Sequence, residues 1–269
     1  MACITLQLRK AIAMTTSAPK HFDAIAGQYA TSEVHANSPT IRRLHELLAS
    51  ERVGSVCDVA CGPGHLALSF AGKASRIVGV DAAPNMLRQF ERLAKERGVK
   101  VETVLADAGS VPLPSNSFDA VVSRLAPHHF PDAVNAVREM ARLVKVGGCV
   151  AVIDLEGDEN PVLDELNHKM EVLHDPSHVR SYTSARWREF FELNGLAIGA
   201  LEAKRTELPG GLSIRRWCEI GSTTPEAQAK IRAVLAAAPK DHLAGLGIRF
   251  ADGEFCIPVR TLIILGRKG

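Results

Sequence analysis

The chain has 269 residues, with 32 Lys and Arg against 30 Asp and Glu and a formal charge of +2. That balance excludes a polybasic nucleic-acid coat or membrane-surface binder. A composition of 46% hydrophobic and 23% charged residues excludes a mainly disordered chain.

Residues 1–20 carry Arg9, Lys10 and Lys20, with no acid before Asp23. They are expected to form a flexible extension, with Met14 as an alternative start, because an organellar presequence is usually richer in Arg. Residues 21–50 look helical and amphipathic. Runs rich in Val and Ile follow at 55–60, 76–81, 100–106, 118–123 and 149–155. Helical periodicity separates them at 64–71, 84–97 and 131–145. Pro84 stands at a helix start, and Gly98 follows Lys95 and Arg97 at a helix end. Strand-helix alternation predicts right-handed crossovers and a parallel sheet covered on both faces. Beyond residue 155 the expected elements are helices at 160–174 and 183–194 and a strand near 196–204. An insert at 207–257 follows, with a helix near 225–238 and no sheet element. A last strand over 259–266 makes seven.

The six cysteines, at 3, 57, 61, 149, 218 and 256, are widely spaced and form no Cys-x-x-Cys. They are expected to be reduced thiols in a cytoplasmic protein, with no metal site. No apolar run approaches the ~20 residues of a membrane span.

The richest segment is Asp58-Val59-Ala60-Cys61-Gly62-Pro63-Gly64, a strand running into a glycine turn and a helix. Gly62 and Gly64 let backbone approach a ligand, and the helix start offers free N–H groups. Gly62-x-Gly64-x-x-Ala67, with Asp81 beyond it, also fits a dinucleotide fingerprint. Asp58 argues against that fit: a carboxylate beside the turn disfavours a bisphosphate and suits an ammonium or sulfonium.

Together with Val78-Gly79-Val80-Asp81, this loop resembles motif I and the following acidic position of class I S-adenosylmethionine-dependent methyltransferases. Leu105-Ala106-Asp107-Ala108, Ser117-Phe118-Asp119-Ala120 and the segment from Arg138 to Gly148 match further blocks; the fit is best to the ubiquinone/menaquinone-biosynthesis branch. Val146 departs from the family's usual Pro, at a structural turn. The resemblance implies an α/β, Rossmann-like, seven-stranded, mostly parallel sheet with its last strand antiparallel and helices on both faces. It implies an N-terminal helical lid (21–50), a cofactor domain (51–206 with 258–269) and a substrate-side insert (207–257) between the last two strands. The implied cofactor is S-adenosylmethionine. Asp58 would anchor the loop, and Ala60, Gly62 and Gly64 would lie against the methionine part. Asp81 and Ala82 would meet the ribose, and Asp107 and Ala108 the adenine. Arg124 and Leu125 would border the sulfonium, and Phe22 and Tyr29 would pack over the cofactor.

Ligands of open α/β sheets bind beyond the carboxyl ends of the strands. There the predicted fourth strand runs into His128-His129, candidate proton acceptors because imidazole titrates near neutrality. His129 is the first choice. His178, Arg180 and Tyr182, and Trp217 in the insert, are the substrate-side candidates. The expected substrate is a small molecule methylated on O, N or C. No interleaved basic-aromatic patch favours nucleic acid. The chain is expected to be a monomer or homodimer. The alternatives are a cyclase-type enzyme that keeps the cofactor, a nicotinamide-dependent oxidoreductase, and a non-catalytic scaffold.

Overall fold

The computed structural model describes residues 18–31, 38–208 and 210–269. The expected extension, up to residue 17, and residues 32–37 of the expected lid lie outside them. The elements are α1 (Ala18–Ala30), α2 (Pro39–Leu47), β1 (Ser55–Val59), α3 (His65–Leu68), β2 (Arg76–Asp81), α4 (Pro84–Glu96), β3 (Glu102–Leu105) and β4 (Phe118–Arg124). After a 3-10 turn at Pro127–His129 come α5 (Ala133–Leu143), β5 (Val144–Leu155), α6 (Pro161–His174), α7 (Ser184–Leu193) and β6 (Leu196–Thr206). The insert holds β7 (Leu212–Ser213), α8 (Ile214–Ile220), α9 (Pro225–Ala237), α10 (Lys240–Gly245), β8 (Arg249–Ala251) and β9 (Glu254–Ile257); β10 (Arg260–Lys268) ends the fold.

Seven strands form one sheet in the order β3-β2-β1-β4-β5-β10-β6. The first five are parallel, and β10 is antiparallel to both β5 and β6. The central strands are mostly apolar because both faces are covered. Their side chains alternate between two cores, as a period of two requires. Val56, Ala120, Ala151 and Ile153 pack with Leu44, Phe70 and Phe90 on one face. Cys57, Val121, Val150 and Val152 pack with Phe118, Met140 and Trp187 on the other. Each fully buried Val or Leu is worth about 1.5–3 kcal/mol of burial.

Two expectations are corrected. The helical stretch 21–50 is not one lid: α1 starts at Ala18 and packs Ala26 on Ala83 and Met86, whereas α2 buries Ile41 and Leu44 in the sheet's core. The insert does contain sheet, because β7, β9 and β8 form a separate three-stranded antiparallel sheet. Its hairpin turns at Asp252-Gly253, both at positive φ. That is the mirror-image geometry hairpins prefer, so the Asp-Gly pair was its signal. The insert's core, around Ile214, Trp217, Ile231 and Ile257, recruits Met170, Leu166 and Leu173 of α6. No helix of the described residues is long and apolar enough to cross a membrane.

Candidate active site

The chain leaves β1 toward β2 and β3 on one side and returns to β4 and β5 on the other. This reversal opens a crevice at the carboxyl ends of β1 and β4. A cavity of about 730 Å³ lies there, within the range of small-molecule sites.

The glycine loop forms its floor. Ala60 and Gly62 have φ of 56° and 53°, the left-handed region that costs a non-glycine residue strain. Asp58 is buried and accepts a hydrogen bond from Ala67 N at 3.0 Å, bracing the first turn of α3. Burial pushes its carboxyl up to about 8, against that hydrogen bond. Asp81 accepts from Gly62 N and Ala83 N, each at 2.8 Å, joining the loop to the start of α4. Burial also raises Asp81. Each of its oxygens retains a lone pair for a ligand hydroxyl. Ala82, Asp107 and Ala108 continue this wall, and Asp107 accepts from Gly109 N at 2.8 Å. Gly64 does not line the cavity. A Cβ there would stand 1.9 Å from the Phe90 ring, so packing fixes this glycine.

At the end of β4, Leu125 has φ of 50° and Arg124 reaches Glu207, with Nη2 to Oε2 at 3.2 Å and both side chains buried. Glu207 also accepts from Thr40 Oγ1 at 2.6 Å and from Ser38 Oγ. The 3-10 turn then presents both histidines. His128 Nδ1 lies 2.6 Å from Asp154 Oδ1. Burial alone would lower His128, but the carboxylate of Asp154, with Glu171 and Asp175 behind it, outweighs burial and the imidazole is raised. His129 Nδ1 lies 3.1 Å from Ser177 O, and its Nε2 is 3.8 Å from Asp175 Oδ2. Burial and the neighbouring His128 lower it. Phe22 of α1 meets His129 edge-on at 4.8 Å and Tyr29 at 5.6 Å, and all three line the cavity.

The far wall comes from α6, the loop after it and the insert. His178 is buried and stacks 5.4 Å from His128. Trp217 stacks on His174 at 3.9 Å. Arg180 and Tyr182 do not line the cavity. Arg180 pairs with Asp164, and Tyr182 packs edge-on against Phe190 at 5.0 Å. Val179 N and Arg180 N both donate to His128 O, a turn that leaves Ser177 and His178 on the cavity side. Glu171, Asp154 and Glu207 were not anticipated. Glu171 had a weak signal, since Glu171, His174 and the C-cap Asp175 fall at i, i+3, i+4 spacing on one side of the α6 end.

The charges state what the cavity can hold. Arg124, the lining Lys or Arg among the described residues, is paired, while Asp58 and Asp81 face the loop side. A ligand with ammonium or sulfonium charge and ribose hydroxyls fits this donor set, since a cation would draw the raised Asp58 and Asp81 carboxyls toward ionisation, whereas a bisphosphate would find the lining Arg124 already taken by Glu207.

A family model described as a methyltransferase domain matches residues 57–152. The uncharacterized methyltransferase YcgJ of Bacillus subtilis is 33% identical over 219 residues, covering 81% of this chain and 84% of YcgJ. The crystal structure of YcgJ superposes with a TM-score of 0.74, covering 83% of this chain and 96% of that one at 31% identity. The ubiquinone/menaquinone biosynthesis C-methyltransferase UbiE of Hahella chejuensis is 30% identical over 156 residues, 54% of this chain and 62% of that one. The [4+2]-cyclase SpnF shares the fold at 19% identity, with a TM-score of 0.60 over 85% of this chain and 79% of that one.

Proposed function

The chain belongs to the class I methyltransferases, and from that premise we propose that it methylates O, N or C of a small molecule from S-adenosylmethionine, with His128 as proton acceptor. The observation that carries this reading is one continuous cavity, which joins the glycine loop and Asp81 to the His128–Asp154 pair. When bound, the cofactor supplies an electrophilic sulfonium methyl. Everything else falls to the protein. Asp81, with a lone pair left on each oxygen, takes the ribose hydroxyls, and Asp107 and Ala108 take the adenine edge. Phe22 and Tyr29 close the near wall and keep water from the reacting groups. The Asp154 carboxylate accepts His128 Nδ1–H, which leaves the lone pair on Nε2 and fixes the tautomer. That nitrogen takes the acceptor's proton as the methyl arrives. His129, the first choice from sequence, is the poorer base, because burial and His128 hold it low.

The test is a thermal-shift titration with S-adenosylmethionine, S-adenosylhomocysteine and NAD side by side, followed by a screen for acceptors that release S-adenosylhomocysteine. The two sulfur ligands should raise the midpoint and NAD should not. On an acceptor so found, His128→Ala should lower kcat roughly 10²-fold and leave S-adenosylhomocysteine affinity nearly unchanged. A shift with NAD alone would overturn the cofactor. Binding without release from any acceptor would favour a cyclase-type use of the fold.

A further inference from the structure

Beyond His128 the cavity is apolar with an acidic edge. Leu155, Leu212, Trp217 and Ile220 line it, and Glu171 and Asp175 of the α6 end stand among them. Asp175 is engaged: it accepts from Ser177 N at 2.8 Å and from Ser177 Oγ at 2.7 Å. Among the described residues, no group hydrogen-bonds to the Glu171 side chain; burial pushes its carboxyl up to about 7, with Asp175 and Asp154 adding to the rise and His128 opposing it. His128, whose imidazole the surrounding carboxylates raise, is taken up by Asp154, and no lining cation of the described residues is left over for this edge. Arg124 is bound to Glu207, and burial keeps His129, His174 and His178 neutral. A carboxyl facing an apolar pocket without a partner is costly unless a ligand supplies the missing donor.

We propose that Glu171 is the acceptor-binding carboxyl of this pocket. It accepts a hydrogen bond from an O–H or N–H of the methyl acceptor, so the pocket takes apolar acceptors with an uncharged or cationic head group and rejects carboxylates and phosphates. An anionic head group would be desolvated with Arg124 held by Glu207 and His128 by Asp154, and would stand against Glu171 and Asp175. The assignment rests on the methyltransferase reading, because it makes this half of the cavity the acceptor's half.

The experiment uses the full chain and calorimetry. S-adenosylhomocysteine is first titrated into the wild type, Glu171→Gln and Glu171→Leu. All three should bind it within about twofold of one another, since the glycine loop is untouched. If the wild type does not bind it, the methyltransferase reading fails before any acceptor is tried, and this assignment falls with it. The loaded proteins then receive 2-naphthol, 2-naphthylmethylamine and 2-naphthoate, which share one ring system and differ in head group. For the wild type, the naphthol or the amine should bind at least tenfold tighter than the naphthoate. Glu171→Leu should lose at least tenfold on that preferred probe, the scale of a hydrogen bond to a charged group. Glu171→Gln keeps an oxygen acceptor and should retain the naphthol while weakening the amine, which tells the two head groups apart. Naphthoate binding tightest, Glu171→Leu keeping the preference, or neither the naphthol nor the amine binding to the loaded wild type would each overturn the assignment.

Discussion

At Asp58, burial and charge pull against each other. The carboxyl is enclosed at the end of β1 and receives one backbone N–H, so its pKa stands near 8. Unfolded, it would titrate near the ordinary carboxylate value of about 3.9. A raised carboxyl favours the folded state while it is protonated in both states, and that advantage is lost as the pH climbs from the unfolded value to the folded one. Asp58→Asn keeps an oxygen for Ala67 N and removes the charge. The ligand-free variant should therefore gain on the wild type steadily between about pH 4 and 8, by a few kcal/mol at most. Paired denaturant melts across that range measure it, and a gap that does not change with pH would show that Asp58 does not titrate there. Asp58 and Asp81 were legible because the glycine spacing singled them out. Asp154 and Glu207 were not, because their partners His128 and Arg124 lie 26 and 83 residues away in sequence. Proximity of that kind exists only once the sheet is assembled. The same cause applies to Arg180: its charge made it a substrate-side candidate, but the fold places Asp164 against it.

Among the elements, α1 is held lightly for a helix that walls the cavity. It buries only Ala26 and Ala30 among its own residues. Its polar ties are few: Asp23 Oδ1 accepts from Asn85 N at 2.7 Å, Oδ2 and the Asp23 carbonyl accept from Asn85 Nδ2 at 2.9 and 3.1 Å, the Tyr29 carbonyl lies 2.9 Å from His65 Nε2, and Gln28 Oε1 accepts from Ser222 Oγ at 2.9 Å. Elements with so little buried apolar surface open at small free-energy cost. Hydrogen exchange of residues 18–30 should therefore be fast without ligand and slow at least tenfold with saturating S-adenosylhomocysteine. Protection that appears around Gly62 and Asp81 but not in α1 would show that α1 does not close over the cofactor. The regular elements were legible from Val and Ile runs and from capping residues such as Pro84 and Pro161. The insert's sheet was not, since β7 has two residues and β8 three, too short for alternation to show.

At the scale of the whole molecule, the strand sequence was legible up to β5, where each run except that of β3 is followed by its own helix. The antiparallel direction of the last strand came only with the family resemblance, and its placement between β5 and β6 only with the structure, because strands separated by a long insert carry no local pairing signal. A joint between the start of the insert, the sheet and α2 is Glu207. This buried carboxylate binds Arg124 at the end of β4 and caps the start of α2 through Thr40 Oγ1 at 2.6 Å and Ser38 Oγ. Removing one member of a buried ion pair costs about 3–5 kcal/mol, because the remaining charge keeps its desolvation penalty. Glu207→Ala should lower the thermal midpoint by roughly 6–20 °C, since each kcal/mol moves a domain of this size by about 2–4 °C. The same change in Arg124→Met/Glu207→Leu should be much smaller, because apolar groups of similar volume remove both charges together. If the double variant falls as far as Glu207→Ala, packing around Glu207 sets the stability rather than its charge. If Glu207→Ala melts like the wild type, the pair is not a joint at all, and the insert is held by its apolar contacts with α6 alone.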